Sequence, residues 1–173
     1  MDLGSRGAIH LALHRLARRG TIRRLAQGLY DYPRSHPQLG LLSPRLEDIA
    51  KALETRGRMR LMPAGDYAAN LLRLSDQVPA KIIFLTDGAS RTLKVGAFDV
   101  RLKHAAPRNL AAAGRKSGLI IQALRYLGHG NVTLDRIAPV RPLLSKADRR
   151  QLAEDIALAP TWMHPYLRAL SEE

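Results

Sequence analysis

Two histidines at helical spacing are the residues whose types and positions most directly suggest chemistry. His10 and His14 are four residues apart, so on a helix both imidazoles would lie on one face, where such a pair can bind zinc. The residues between them are Leu-Ala-Leu, without the glutamate that serves as general base in a zinc protease. Arginines surround the pair, and we therefore interpret both histidines as surface residues of a basic helix. The sequence predicts no metal site and no cofactor.

The other patterns that could support catalysis are incomplete. The segment 114–118, Gly-Arg-Lys-Ser-Gly, superficially resembles a phosphate-binding loop, but it lacks the leading glycine at the required distance and the Gly-Lys-Ser/Thr order. The chain contains no cysteine, which excludes disulfides, thiolate metal sites and a cysteine nucleophile. It also lacks a dinucleotide-binding glycine fingerprint and a Gly-x-Ser-x-Gly nucleophile elbow. We therefore predict that the protein is not an enzyme.

Charge is the most informative property of the composition. Lys and Arg number 28 against 15 Asp and Glu, a formal net charge of +13 in 173 residues. Such an excess indicates a polyanionic partner, which could be nucleic acid, an anionic membrane or an acidic protein. Residues 145–173 hold four basic and five acidic residues, so the excess belongs to residues 1–144. No apolar run approaches the roughly 18 residues that span a bilayer, and no signal peptide is recognisable. We expect a cytoplasmic protein without a membrane partner.

The stretch Ser5–Arg19 is predicted to form one amphipathic helix. Ser5 or Asp2 would be its N-cap, and Gly20 stands where a C-terminal glycine is expected. The apolar residues fall on one arc of the helix and most of the basic residues fall on another. The apolar arc consists of Ala8, Ile9, Ala12, Leu13 and Leu16, and the basic stripe consists of Arg6, His10, His14 and Arg18, with Arg15 at its edge.

A short basic hairpin is predicted directly after this helix. Thr21–Leu25 and Leu29–Tyr32 have strand composition, residues 26–28 form the turn, and Pro33 ends the second strand. A basic helix followed by a basic hairpin is the second half of a winged helix-turn-helix, in which the helix enters the major groove and the hairpin, or wing, follows the phosphates. The alternative is that the arginines only solvate a surface helix. The predicted DNA-binding residues are Ser5, Arg6, His10, His14, Arg15, Arg18, Arg23 and Arg24.

This winged helix would be partial, because the fold requires one or two helices before the recognition helix. Those helices support it and cover its apolar face, yet the helix in this chain begins near residue 5. We expect that the N-terminus is short, natively or through a misplaced start, or that a later segment or a second subunit covers the face. A palindromic operator would require a homodimer.

The rest of the chain predicts a larger α+β domain. The fold class is therefore α+β: a partial winged helix-turn-helix over 1–34, a linker over 35–42, and a small antiparallel-sheet domain with C-terminal helices over 43–173. The expected elements of that domain are a helix opened by Ser43 and Pro44, a small-residue helix over 63–74, a strand over 81–86, a hairpin with arms 92–95 and 98–103, a helix ended by Gly128, and a helical segment over 131–173 in which Ser145 caps a helix.

A second basic surface is predicted around the hairpin of this sheet. Basic residues alternate there with apolar ones, so the basic residues lie on the solvent-facing side of the sheet. That side could be simply solvated or could contact DNA or RNA, and the two interpretations are equally well supported. Its residues are Arg91, Lys94, Arg101, Lys103 and Arg108.

Several motifs of the chain resemble one family. They are GSRGAIHLALHRLARRGTIRRLAQGLYDYP (4–33), LLSP (41–44), PAGDYAANLL (63–72), VPAKIIFLTDG (78–88) and PRN…AGRKSGLIIQALRYLG (107–128). The sequence resembles the AbiEi-type abortive-infection antitoxins, and in particular the related group labelled DUF6088 transcriptional regulators. Members of that family have an N-terminal winged helix, and they carry further residues before the segment that corresponds to Gly4.

The resemblance implies a function. It implies the antitoxin of a type IV toxin-antitoxin system in phage defence, which represses its own operon through the winged helix and counters a nucleotidyltransferase-like toxin through its C-terminal part. It places Arg6, His10 and His14 on the recognition helix, and Arg23 and Arg24 on the wing. The implied partners are double-stranded operator DNA and the toxin. The alternative is a protein- or RNA-interaction module that neutralises a toxin without specific DNA binding; a nucleic-acid-processing enzyme is disfavoured because no catalytic site is recognisable.

Overall fold

The computed structural model of the chain describes residues 5–77, 79 and 81–172. Asp2, the alternative N-cap, lies outside these residues. Within them the protein consists of seven α-helices, eight short strands and several 3-10 turns. The predicted α+β class is confirmed. None of the described helices is long and apolar enough to cross a lipid bilayer.

Helix α1 spans Arg6–Arg18 and confirms the predicted N-terminal helix. The hydroxyl of Ser5 accepts a hydrogen bond of 3.3 Å from the backbone N–H of Ala8, as an N-cap residue does. The helix ends at Arg19, after which Gly20 adopts a left-handed φ of +72°. A left-handed residue is favourable at this position only because glycine has no Cβ.

Two small hairpins follow α1. Strands β1 (Arg23–Ala26) and β2 (Leu29–Asp31) pair antiparallel, with an irregularity in register between Arg24 and Ala26. Strands β3 (Ser35–His36) and β4 (Gly40–Leu41) form a second, exposed hairpin inside the predicted linker. The linker region is therefore partly ordered by its own backbone pairing.

A four-stranded sheet is the centre of the structure, in the order β5-β6-β8-β7. Its strands are β5 (Leu61–Ala64), β6 (Ile82–Thr86), β7 (Arg91–Val95) and β8 (Phe98–His104). The prediction of an antiparallel sheet was wrong for one pair, because β8 lies between β7 and β6 and runs parallel to β6. After β6 the chain first forms the edge strand β7, and β8 then inserts between β7 and β6. The alternation of apolar and polar residues does not reveal this order.

The helices around the sheet follow the sequence with two corrections. Helix α2 (Leu46–Gly57) begins after Arg45 rather than at Ser43 and Pro44. The helix predicted over 63–74 is shorter, because the backbone of residues 61–64 pairs with β6 and only α3 (Gly65–Leu71) is helical. The remaining helices are α4 (Lys116–Leu127), α5 (Leu134–Ile137), α6 (Lys146–Asp155) and α7 (His164–Ser171).

Two large hydrophobic clusters form the core. One contains buried residues of α3, α4 and the C-terminal helices, including Leu124, Leu152 and Met163. The other lies on one face of the sheet, where Phe84 and Leu102 pack with residues of α2 and the first hairpin. We call this face of the sheet the α2 face and the opposite one the α4 face. The first hairpin therefore shares a core with the sheet, and the domain boundary at residue 34 stays a prediction.

Buried polar groups connect α4 to α6. Asp155 is only 5% exposed and accepts hydrogen bonds from the Ser117 hydroxyl and the Arg115 guanidinium. A buried carboxylate is tolerated when it is paired in this way. At the start of α6, Ser145 and Asp148 form the predicted capping box, and Lys116 reaches Asp148 at 2.9 Å.

Candidate nucleic-acid interface

Helix α1 lies almost entirely in solvent. The predicted DNA-binding residues His10, His14, Arg15 and Arg18 are all exposed. Since the stripe of His10, His14 and Arg18 has a spacing of four residues, the structure brings these three side chains to one side of a regular helix. The backbone of Arg6 begins the helix, and Ser5 is occupied in capping it.

The apolar arc of α1 is incompletely covered by the described part of the chain. Ile9 and Leu13 are half-buried and Leu16 is 36% exposed, while Leu11, which lies outside the arc, is 50% exposed. None of residues 7–18 of the helix is buried, in contrast to α2, where Ile49 and Leu53 are. An apolar helical stripe of this kind normally faces a partner surface.

The structure separates the two arginines that were predicted on the wing. Arg23 donates from Nε to Oδ1 of Asp31 at 3.1 Å, and from Nη2 to Oδ2 of Asp31 at 2.6 Å. Nη2 also donates to the carbonyl oxygen of Leu42 at 2.9 Å. The hydrogen bond with Asp31 is the main reason that the pKa of Arg23 is raised above its usual value. Arg23 therefore holds the hairpin together and is a poor candidate for a phosphate contact.

Arg24 is the arginine that the hairpin presents to solvent. It is exposed and lies opposite Tyr30 in the strand pair. Its two strand neighbours point to the other face of the hairpin, where Leu25 is buried and Arg23 is half-buried. Composition alone cannot distinguish the exposed arginine from the paired one. The cross-strand position of Asp31, opposite Arg23, was the available signal that distinguishes them.

The body of the protein fixes the orientation of this hairpin. The backbone N–H of Gly96, in the turn after β7, donates to the carbonyl oxygen of Leu25 at 3.1 Å. Arg56 of α2 donates to the carbonyl oxygen of Gln27. The side chains of Leu25 and Leu29 are buried in the α2-face core. The hairpin is thus held at both its turn and its strands.

The predicted second basic surface is divided by the sheet. Arg91 pairs with Leu102 and so lies on the α2 face, whereas Arg101 and Lys103 pair with Ile83 and Leu85 on the α4 face. Lys94, paired with Asp99, also lies on the α4 face, and Arg108 is exposed in the turn over 107–110.

A cleft occupies the α4 face beside these cations. We call it the basic cleft; its volume is about 300 Å³. It is open on one side, because α4 packs mainly over β5 rather than over β8 and β7. Its lining residues are Ala64, Gly65, Ile83, Leu85, Arg101, Lys103, Gln122, Arg125 and Tyr126.

The sequence analysis did not predict the polar lining residues of α4, which are Gln122, Arg125 and Tyr126. The apolar stripe of α4 indicated only the opposite, buried side of the helix. Their spacing, i, i+3 and i+4, is itself a polar stripe on an otherwise apolar helix. That pattern could have indicated a helix with a functional polar face. Among the described residues no three His, Cys, Asp or Glu side chains cluster as metal ligands would.

The fold and these surfaces define a small, strongly basic α+β protein with an exposed amphipathic helix, a fixed hairpin and a basic cleft. Residues 1–152 match a family model, DUF6088, which is described as a family of unknown function. The chain belongs to this family. No curated protein and no solved structure shows significant similarity to it.

Proposed function

We propose that the protein is a DNA-binding transcriptional autorepressor that acts as the antitoxin of a type IV toxin-antitoxin system. The observation that carries the DNA-binding part is the exposed helix α1 with His10, His14, Arg15 and Arg18, followed within a few residues by a fixed hairpin that presents Arg24. An α-helix fits the major groove of B-DNA, and arginines bind both phosphates and guanine edges.

The two elements have different parts in this proposal. The N-terminal half of α1, with His10, approaches base edges, as the start of a recognition helix does. Arg15 and Arg18, at the end of the helix, and Arg24 on the hairpin bind phosphates and so set the register on the duplex. The half-exposed arc of Ile9, Leu13 and Leu16 would pack on a second copy when a palindromic operator is bound, since such an operator requires a dimer.

The antitoxin part of the proposal is supported by the resemblance of the sequence motifs to AbiEi-type antitoxins. In this view the body after the hairpin counters a nucleotidyltransferase-like toxin encoded beside the antitoxin gene. Co-expression of the two genes tests it: the intact chain should restore growth of cells that express the toxin. Toxicity that persists at equal antitoxin expression would refute this part.

DNA binding is tested with a fluorescent duplex taken from the region upstream of the gene, and with a shuffled duplex of equal length. The upstream duplex should bind more tightly, and log K should fall with log salt by about 0.9 for each phosphate contact. His10→Ala should reduce the preference for the upstream duplex, costing about 1–3 kcal/mol at one base position. Arg24→Ala should weaken both duplexes alike and lower the salt slope by about 1.

The control for these variants is Arg168→Gln, an exposed charge change on α7, far along the chain from both elements. It should leave binding of both duplexes nearly unchanged. Equal affinity of the intact chain for the upstream and the shuffled duplex would overturn the repressor proposal. If growth rescue by the chain nevertheless persisted, the alternative of an interaction module without specific DNA binding would replace it.

A further inference from the structure

We propose that the basic cleft between β8 and α4 binds a nucleotide unit, with its phosphates on the cations and its base on the apolar floor. This site is separate from α1 and the hairpin and does not depend on the function proposed for them. The ligand chemistry can come from a free nucleotide or from an unpaired nucleotide of a single strand.

The geometry of the sheet creates the cleft. Residues of β6 and β8 that point to the α4 face form its floor and one wall, because Ile83 pairs with Arg101 and Leu85 pairs with Lys103. Helix α4 packs on the same face mainly over β5, and Met62 of β5 is buried there. The polar stripe of α4 then forms the opposite wall.

The cations of the cleft have no partners within the described part of the chain. Arg101, Lys103 and Arg125 form no ion pair and no side-chain hydrogen bond with any described residue, although four other cations form ion pairs. Three cations held together without a carboxylate repel one another, which is unfavourable unless an anion joins them. Phosphate oxygens are well suited to this position, because guanidinium groups bind them through two hydrogen bonds.

An amide in the cleft offers hydrogen-bonding groups to a ligand. Gln122 lines the cleft, and its side chain forms no hydrogen bond with any described residue. In the described part of the chain the only fully buried side-chain polar atom without a partner is Nε of Arg149, so the Gln122 amide is accessible to a ligand in the cleft although the residue as a whole is only 6% exposed. An amide offers both a donor and an acceptor, which is the complement of a nucleobase edge.

The apolar part of the cleft fits a flat ring. Ile83 and Leu85 are half-buried and face the cleft from the sheet. Tyr126 is 46% exposed at the rim, where its ring is free to stack on a base. A volume of about 300 Å³ is at the lower end of the usual range for small-ligand sites, which is roughly 300–1,000 Å³.

These features favour a nucleotide over other polyanions. A carboxylate from an acidic protein would satisfy the cations but would leave the apolar floor and the Gln122 amide uncovered. A DNA duplex keeps its bases stacked inside, so it could reach the cations but could not place a base in the cleft. Only an unstacked nucleotide uses the charge, the amide and the floor together.

The test measures anisotropy of a short fluorescein-labelled oligo(dA) with the full chain, using ATP, unlabelled oligo(dA) and inorganic phosphate as competitors at constant ionic strength. The double variant Arg101→Gln/Lys103→Gln should weaken binding at least tenfold, and its log–log salt slope should fall by about 1.4, since single strands contribute about 0.7 per phosphate contact. Tyr126→Ala should weaken binding about tenfold through lost stacking, and Tyr126→Phe should retain it.

The matched control for charge is Lys51→Gln/Arg168→Gln, which removes two exposed cations from α2 and α7. It should weaken oligonucleotide binding less than twofold, and so should His14→Ala/Arg24→Ala, which alters only the proposed duplex interface. The two proposals are thereby separated, because Arg101→Gln/Lys103→Gln should weaken only the single-stranded probe and His14→Ala/Arg24→Ala should weaken only the duplex.

The competitors identify the source of the nucleotide. Competition by ATP as strong as that by the unlabelled strand would assign a free nucleotide, and weak competition by ATP beside strong competition by the strand would assign a single-stranded nucleic acid. Inorganic phosphate that competes as well as ATP would reduce the site to a simple anion site and overturn the proposal. Equal losses in the cleft variant and the charge-matched control would also overturn it.

Discussion

Whether each of two neighbouring arginines is paired or exposed depends on the residue opposite it in the hairpin. Arg23 and Arg24 are adjacent and chemically identical, but only Arg23 lies opposite Asp31, which accepts two of its hydrogen bonds. Because successive strand residues point to opposite faces, Arg24 cannot share that carboxylate and stays in solvent. At the residue scale, therefore, the hairpin of β1 and β2 presents one solvent-exposed arginine rather than two.

A single glycine shows how tightly α4 packs on the chain before it. A Cβ atom built on Gly118 would lie 2.2 Å from the carbonyl oxygen of Ala112 and 2.9 Å from the sulfur of Met62. Since the first of these is a backbone atom, the clash cannot be relieved by a rotamer change. Gly118, the second glycine of the Gly-Arg-Lys-Ser-Gly segment, is thus required for the packing of α4.

We therefore expect Gly118→Ala to lower the free energy of unfolding by about 1–3 kcal/mol or more, in spite of alanine's better helix propensity. Urea denaturation followed by circular dichroism measures the change. The control is Gly130→Ala, where a Cβ would meet no atom within 4 Å, and its effect should stay within about 0.5 kcal/mol. Equal stability of the two variants would show that α4 can shift away from Ala112.

At the scale of elements, α6 depends on a charged cap that should make its stability dependent on pH. Hydrogen bonds from Ser145, and next from Lys116, lower the pKa of Asp148 from 3.8 to about 2. A carboxyl group whose pKa is lower in the folded state stabilises the fold above its unfolded pKa. This contribution is lost as the pH falls from about 4 to about 2.

Asp148→Asn should accordingly destabilise the protein near neutral pH, and the difference from the intact chain should shrink as the pH falls from about 4 to about 2. Chemical denaturation at several pH values measures it. Asp135→Asn, an exposed residue in the first turn of α5, is the control and should show a smaller dependence on pH. A difference for Asp148→Asn that stays constant through this range would contradict the assigned cap.

The sheet also separates apolar from charged side chains on its two faces. Its strand alternation sends apolar residues of β8 to the α2 face and cations to the α4 face. Since α4 covers only part of that second face, the cations of β8 remain beside an open cleft rather than beneath a helix. The same alternation explains why Arg91 belongs to another surface than Arg101 and Lys103.

At the scale of the whole molecule, helix α3 contributes residues to both large clusters. Tyr67 of α3 contacts Phe84 edge-to-face, with ring centroids 5.6 Å apart, while Ala68 and Ala69 of the same helix belong to the other cluster. Burial raises the pKa of Tyr67 to about 12, as expected for a phenol inside this contact. Helix α3 thus joins both clusters, and we expect them to unfold together.

The only tryptophan, Trp162, packs on the cluster of C-terminal helices. The centroids of its ring and of the His129 ring are 5.2 Å apart. Phe84→Ala, in the other cluster, should cost about 3–5 kcal/mol. If the molecule unfolds cooperatively, the midpoint shift seen by Trp162 fluorescence should equal the shift seen by far-ultraviolet circular dichroism. An unshifted fluorescence midpoint would mean that the clusters unfold separately.

The sequence by itself determined most of the elements. Ser5 and Gly20 delimit α1, the alternation of β8 is visible in its residues, and Ser145 with Asp148 defines the start of α6. These signals are local, because capping, hairpin turns and strand alternation each depend on a few consecutive residues. The same local signals located the basic surfaces, and the DNA-binding role of α1 remains a prediction from them.

Only the tertiary structure decided how these elements combine. The parallel pairing of β6 with β8, the engagement of Arg23 by Asp31 and Leu42, and the position of α4 over β5 all join residues distant in the chain. Gln122, Arg125 and Tyr126 became part of a site only when α4 was placed beside β8. Contacts between distant segments depend on the packing of whole faces, so no short stretch of sequence contains them.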